Sequence, residues 1–179
     1  EKREQLYEGK AKKVFATDDP TIVLVDYKDD ATAGDGAKKG TIRGKGVVNN
    51  KLTNNLMKML AQHGIPTHFV EEISDRETLV KKVQIVPLEV IVRNVAAGSF
   101  SKKYGVPEGT ALKNTVVEFS LKSDELGDPM INDCQITALG VATQAELDEL
   151  RAMSLRIDEL MTALFAKAGI KLIDFKLEF

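Results

Sequence analysis

Three stretches concentrate residue types that could handle a charged substrate. The last of them in the chain is Ile173-Asp174-Phe175-Lys176-Leu177-Glu178-Phe179. A strand period of two sets Ile173, Phe175, Leu177 and Phe179 on one side and Asp174, Lys176 and Glu178 on the other. An acid–base–acid ladder lining a cleft could hold a metal–phosphate complex. A carboxylate gives Mg²⁺ the hard oxygen it prefers, and a lysine offsets phosphate charge. The same alternation also describes the wet face of a half-buried sheet with cross-strand ion pairs. The second stretch, Leu88 to Arg93, sets Glu89, Ile91 and Arg93 against Leu88, Val90 and Val92 and runs into Asn94-Val95-Ala96-Ala97-Gly98-Ser99-Phe100. Small residues after a strand let backbone approach a ligand, and an arginine with a serine hydroxyl can hold a phosphate. A surface loop with an exposed arginine would have the same spacing. The third is Gly9-Lys10-Ala11-Lys12-Lys13. Its backbone N–H and ammonium groups could cradle phosphates, although a lysine run also makes an ordinary solvated face. It lacks the Walker pattern G-x-x-x-x-G-K-[ST].

Other chemistries are poorly supplied. Gly34-Asp35-Gly36 fails the G-x-G-x-x-G fingerprint, and no strand–turn–helix unit surrounds it. His63 and His68 share no zinc-ligand spacing. One cysteine, Cys134, excludes an internal disulfide and any cysteine-cluster metal site. Twenty-five Lys+Arg against 27 Asp+Glu leave a formal charge of -2, which argues against a dedicated nucleic-acid binder but leaves room for a local basic pocket. The apolar runs are short, as in Ile22 to Val25, so no membrane span is expected. Glu1 to Gln5 have no apolar stretch of signal-peptide type, and the expected compartment is the reducing cytoplasm.

The elements that must position these residues follow from periodicity. The chain has 179 residues, 43% hydrophobic and 29% charged, enough for one medium domain or two small lobes. Val14–Ala16 and Ile22–Val25, split by Thr17-Asp18-Asp19-Pro20, read as a hairpin. Asp29 to Gly46 is polar and glycine-dense, a long loop of the functional or mobile kind. Val47 to His63 reads as a helix with Val48, Leu52, Leu56, Met59 and Leu60 as its apolar stripe, stopped by Gly64 and Pro66. Strands are expected around residues 67–73 and 79–85. Pro87 then marks a hinge between a β-rich lobe, residues 1–85, and a second α+β lobe, residues 86–179. A helix runs from Ala145 to about Lys167. Thr143 and Glu146 form its capping box, Leu147, Leu150, Ile157, Leu160, Met161 and Leu164 its stripe, and Gly169 its stop. Residues 170–179 close the chain as a strand. Without regular βαβ alternation, the fold class is α+β with mostly antiparallel sheets plus helices.

Six ordered blocks together resemble a known family. They are Leu6 to Val14, Asp30 to Gly36 (DATAGDG), Gly44 to Asn50 (GKGVVNN), Pro87 to Phe100 (PLEVIVRNVAAGSF), Asp128 to Asp133 (DPMIND) and the terminal LIDFKLEF. In this order they are similar to the phosphoribosylaminoimidazole-succinocarboxamide synthase, or SAICAR synthetase, family, over essentially the whole chain. The resemblance implies a two-lobed fold with a kinase-like ATP site. It implies ligation of L-aspartate to the carboxylate of carboxyaminoimidazole ribonucleotide (CAIR), consuming ATP with Mg²⁺, in de novo purine synthesis. Implied nucleotide-side residues are Lys10, Ala11, Lys12, Val14, Lys81, Glu89 and Lys122. Implied substrate-side residues are Asp35, Gly36, Arg93, Ser99 and Asp128. Glu178 is the implied metal ligand, with Lys176 and Asp174 at the reacting groups. The implied partners are small molecules, with neither nucleic acid nor membrane, and the implied assembly is a homodimer. Family members are longer, with a further acidic stretch, so the second lobe is expected to be incomplete at its C-terminal side. A non-catalytic nucleotide-binding module and a small-molecule kinase are the alternative functions.

Overall fold

The computed structural model describes residues 1–33 and 36–179. They divide into two compact units, Glu1–Val83 and Gln84–Phe179.

In the first unit, β1 (Gln5–Glu8), β2 (Lys12–Ala16), β3 (Ile22–Tyr27), β6 (Phe69–Glu72) and β7 (Glu77–Lys81) form an antiparallel sheet of order β1-β2-β3-β7-β6. Valine alternation gives it an apolar face: Val23, Val25 and Val80 are buried, with Val14 and Tyr27 against them. The polar stretch after β3 is more ordered than its composition predicts. Between Asp29 and Gly44 it forms a two-stranded ribbon, β4 (Asp30–Ala33) with β5 (Lys38–Thr41), instead of a structureless loop. Its base is closed by the Ile42 N–H donating to the Asp29 carbonyl at 2.9 Å.

Helix α1 (Lys45–Gln62) exists where periodicity places it, but its expected stripe is covered only at Leu56, Met59 and Leu60, and its first half buries another face. Val48 is 63% and Leu52 47% exposed, while Gly46, Asn50, Asn54 and Leu60 are buried. The reason is a buried polar network. Thr78 Oγ1 donates to Asn50 Oδ1 at 2.5 Å, Asn54 Nδ2 donates to Thr78 Oγ1 at 2.8 Å, and Asn50 Nδ2 donates to the Ser74 and Asp75 carbonyls. Satisfied amides make a polar helix face compatible with burial. Gly46 is the closest approach: a Cβ there would lie 2.5 Å from the Tyr27 carbonyl oxygen and 2.6 Å from Arg76 Nη1.

In the second unit, β8 (Leu88–Val95) is the centre of a sheet of order β10-β8-β9, with β9 (Ala111–Leu121) and β10 (Asp174–Leu177), all antiparallel. The strands near residues 70 and 80 and the terminal strand are shorter than the sequence pattern suggests, and β9 is not foreseen by it. The inner face packs Leu88, Val90 and Phe119 against Ile136, Leu147 and Leu150. Ile136 belongs to α3 (Asp133–Ala138), Leu147 and Leu150 to α4 (Gln144–Lys167), and the short α2 (Gly98–Tyr104) follows β8. The predicted capping box of α4 is present, with Thr143 accepting from the Glu146 N–H and Glu146 accepting from the Thr143 N–H. Its buried residues are Leu147, Leu150, Ser154, Ile157, Asp158 and Met161, whereas Leu164 is exposed. Among the described residues no helix is long and apolar enough to cross a membrane.

Candidate active site

The first unit presents its lysines around the β1–β2 turn. The Gly9 N–H donates to the Lys12 carbonyl at 2.8 Å, and the Ala11 carbonyl accepts from the Lys28 N–H at 2.7 Å. The Lys28 ammonium donates to Glu8 Oε2 at 2.9 Å and to the Gly9 carbonyl at 3.3 Å, and lies 3.2 Å from Asp30 Oδ2. The turn and the ribbon are thereby tied to one side chain. Lys10 is exposed at the tip, and Lys12 shares a sheet face with Val14 and Tyr27. Burial, then the charge of Lys12, lowers the pKa of His68, which favours neutral imidazole. The family resemblance groups Lys81 with Lys12, but the two lie on opposite faces of the sheet. Lys81 pairs with Ile22, so alternation turns it to the face opposite Val14 and Val80. Asp35 lies outside the described residues, and Gly36 begins the turn into β5 with φ +85°.

Sequence reasoning missed the clamp beneath this region. Arg76 Nη1 and Nη2 donate to the two Asp29 carboxylate oxygens at 2.6 and 2.9 Å. The same carboxylate accepts from the Gly46 N–H at 2.8 Å and the Gly44 N–H at 3.2 Å, supplying the N-terminal cap that Gly44 has no side chain to give. Arg76, then the Gly46 N–H, holds the Asp29 carboxyl far below the usual carboxylate range. The partners are 47 residues apart, and nothing in local spacing signals the pair.

In the second unit the two alternating stretches share one polar sheet face. Register places Asp174 opposite Arg93 and Lys176 opposite Ile91, with Glu118 opposite Ile91 on the other side and Ser120 opposite Glu89. Lys176 Nζ lies 3.8 Å from Glu89 Oε2, and Lys122 Nζ donates to Glu178 Oε1 at 2.8 Å. Arg93 Nε donates to Glu118 Oε1 at 2.8 Å, Nη2 to Ser99 Oγ at 3.0 Å, and Nη1 to Asp174 Oδ2 at 3.4 Å. Eight of the predicted residues are in this unit, and seven of them, Glu89, Arg93, Ser99, Lys122, Asp174, Lys176 and Glu178, join these contacts. The eighth, Asp128, is turned into its own loop. Its Oδ1 accepts from the Ser123 N–H at 2.9 Å, which supports its φ of 48°. Glu118 was missed, because β9 itself was not foreseen.

Two open cavities, about 470 Å³ in the first unit and about 510 Å³ in the second, are lined by none of the predicted residues. Among the described residues no three His, Cys, Asp or Glu side chains cluster as a metal cage. That still fits Mg²⁺ with a nucleotide, because this ion keeps waters and takes one or two carboxylates plus phosphate oxygens. Glu178, 37% exposed at its side chain and beside the Lys122 ammonium, would supply one such carboxylate. Cationic and anionic groups thus alternate on one sheet face, with Arg93 and Glu118 buried and Lys122, Lys176, Asp174 and Glu178 more open to solvent. Such a face suits a reactant that carries both phosphate and metal.

The family described as SAICAR synthetase matches residues 5–179. A phosphoribosylaminoimidazole-succinocarboxamide synthase of Lachnoclostridium phytofermentans is 60% identical over 178 residues, covering 99% of this chain and 76% of that protein. The crystal structure of the synthase from Ehrlichia chaffeensis superposes with a TM-score of 0.97 at 45% identity, covering 98% of this chain and 74% of the other. A SAICAR synthetase solved in complex with ADP gives a TM-score of 0.94 at 44% identity, with the same 98% and 74% coverage.

Proposed function

The chain belongs to the SAICAR synthetase family, and from that premise we propose that it carries the ATP-dependent ligation of L-aspartate to CAIR. The observation that carries the proposal is the polar face of β8, β9 and β10, where Lys176, Arg93 and Lys122 stand among Glu89, Asp174 and Glu178. The relative solved with ADP supports nucleotide use.

A carboxylate is a poor acyl donor because its oxyanion is a poor leaving group. In the proposed sequence a CAIR carboxylate oxygen attacks the γ-phosphorus of ATP, and the bond to the ADP oxygen breaks. The aspartate amine then attacks the acyl phosphate carbon, inorganic phosphate leaves with the C–O bonding pair, and the amine gives up a proton. Positioning and charge stabilisation supply such catalysis, with no need of a histidine or cysteine nucleophile. Within the first unit Lys10 and Lys12, with the backbone at Ala11 and beside Val14, attend the nucleotide phosphates; within the second, Glu89 and Lys122 are the nucleotide-side residues. Arg93 and Ser99 hold the ribonucleotide phosphate, and Gly36 gives close backbone approach on the substrate side. Lys176 offsets charge on the transferring phosphoryl group, and Asp174 accepts the proton from the amine. Glu178 would hold Mg²⁺, which supplies Lewis-acid polarisation of the phosphates when bound.

The test supplies ATP, Mg²⁺, CAIR and aspartate and follows ADP and SAICAR together. The expected outcome is one SAICAR per ADP, with neither formed when CAIR or aspartate is withheld. ADP release that ignores both substrates would sink the proposal, and a stable phosphorylated product without aspartate would make the protein a kinase.

A further inference from the structure

Glu118 has no place in those roles, yet it is among the least exposed carboxylates of the second unit. Its side chain is 9% exposed and that of Arg93 10%. Arg93 divides its donors unequally. Nε is committed to Glu118 at 2.8 Å, on a strand in register with its own from Leu88 to Arg93. Nη2 meets only a hydroxyl, Ser99 Oγ, at 3.0 Å, and Nη1 makes two long contacts of 3.4 Å, to the Ala97 carbonyl and Asp174 Oδ2. The Nε bond is the short, charge-assisted one, and the Nη contacts are those an incoming anion can replace. A guanidinium grips phosphate bidentately only when its plane is set beforehand. A carboxylate also lets the cation stay buried before any anion arrives.

We propose that Glu118 is a positioning residue for the ribonucleotide phosphate: it fixes the guanidinium plane of Arg93 so that Nη1 and Nη2 face the anion. The inference rests on the reading of Arg93 as the phosphate holder. Orientation and charge make opposite demands on the variants. Glu118→Gln keeps an acceptor for Nε and loses the charge, so orientation is preserved and repulsion of phosphate falls. Glu118→Ala loses both.

The experiment titrates CAIR, the matching nucleoside without its 5′-phosphate, and ATP into the wild-type protein and the two variants, with thermal melting alongside. Glu118→Ala is expected to weaken CAIR binding about tenfold or more, since a misplaced contact of this kind is costly. Nucleoside and ATP affinities should stay unchanged, and Glu118→Gln should bind CAIR at least as well as wild type. Equal losses for CAIR and nucleoside, or tighter CAIR binding in both variants, would overturn the proposal. Should Glu118→Ala not fold, Glu118→Asp carries the test, because it keeps the charge but retracts it by one methylene. A phosphate-dependent loss supports positioning, and wild-type affinity contradicts it. Arg93→Lys separates the two levels of the argument. If it binds CAIR normally, the reading of Arg93 itself fails. If it loses CAIR while the Glu118 variants do not, only the positioning role fails.

Discussion

As the proposed Mg²⁺ ligand, Glu178 would have to serve two partners with different lone pairs. Its carboxylate accepts from Lys122 at 2.8 Å, and it is partly exposed. A surface pair of this kind is worth little to stability. Glu178→Gln should therefore leave the melting transition within about 0.5 kcal/mol of wild type. If the carboxylate holds Mg²⁺ with ATP, the same change should lower turnover and move its Mg²⁺ dependence to higher concentration, because the amide keeps size but not charge. Turnover measured against Mg²⁺ decides it, and an unchanged profile would return Glu178 to a solvated sheet edge. Asp29 behaves oppositely, as a residue of the fold. Its folded pKa lies below its unfolded value, so its stabilisation is complete above the ordinary carboxylate range and is lost as pH falls toward the folded value. Asp29→Asn should melt several degrees below wild type at pH 7. The gap should close progressively below about pH 4, where the unfolded carboxyl takes up its proton. A gap independent of pH would show that the carboxylate charge is not what clamps Gly44, Gly46 and Arg76.

At the scale of elements, the two long helices show which signals a sequence carries. Helix α4 was legible because its cap, its stripe and its stop are all local: Thr143 and Glu146 bond each other, and the Gly169 N–H, at φ 73°, donates to Ala166. The extent of α1 was legible too, with Leu60 on its buried side, but the face covered by its first half was not. Apolar Val48 and Leu52 face outward because amides on the other side find long-range partners in Thr78, Ser74 and Asp75. Periodicity ranks faces by hydropathy and cannot see a partner 24 residues away. The functional face divided likewise. Alternation in β8 and β10 was legible and put Arg93, Asp174 and Lys176 on one side. Glu118 lies in Val117-Glu118-Phe119-Ser120-Leu121, which alternates as β8 and β10 do, but the irregular run Ala111–Val116 before it masked the strand. The exchange of faces in the first half of α1 is testable by comparing the expected costs. Val48→Ser should change stability by less than about 0.5 kcal/mol. Asn54→Leu, a nominally better helix residue, should cost about 1–3 kcal/mol by stranding its buried partners. Denaturant unfolding measures both, and the reverse order would mean that the polar network does not hold the helix.

Across the whole molecule, the two units differ in how far apart in the chain their sheets recruit strands. Every pairing of the five-stranded sheet joins residues between Gln5 and Lys81, mostly between neighbours in sequence. In the second unit, β8 receives β10 across 81 residues, and Asp174 completes the surroundings of Arg93 only then. A growing chain therefore releases all of the first sheet before the last strand of the second exists. At roughly 5–20 residues per second, synthesis from β8 to β10 occupies on the order of ten seconds. Through that interval Val90-Ile91-Val92, a run buried in the finished fold, offers an unpaired strand edge to any neighbouring chain. The central strand of the candidate site is thus also a segment of the nascent protein that waits for its second partner, exposed to its neighbours on a crowded polysome.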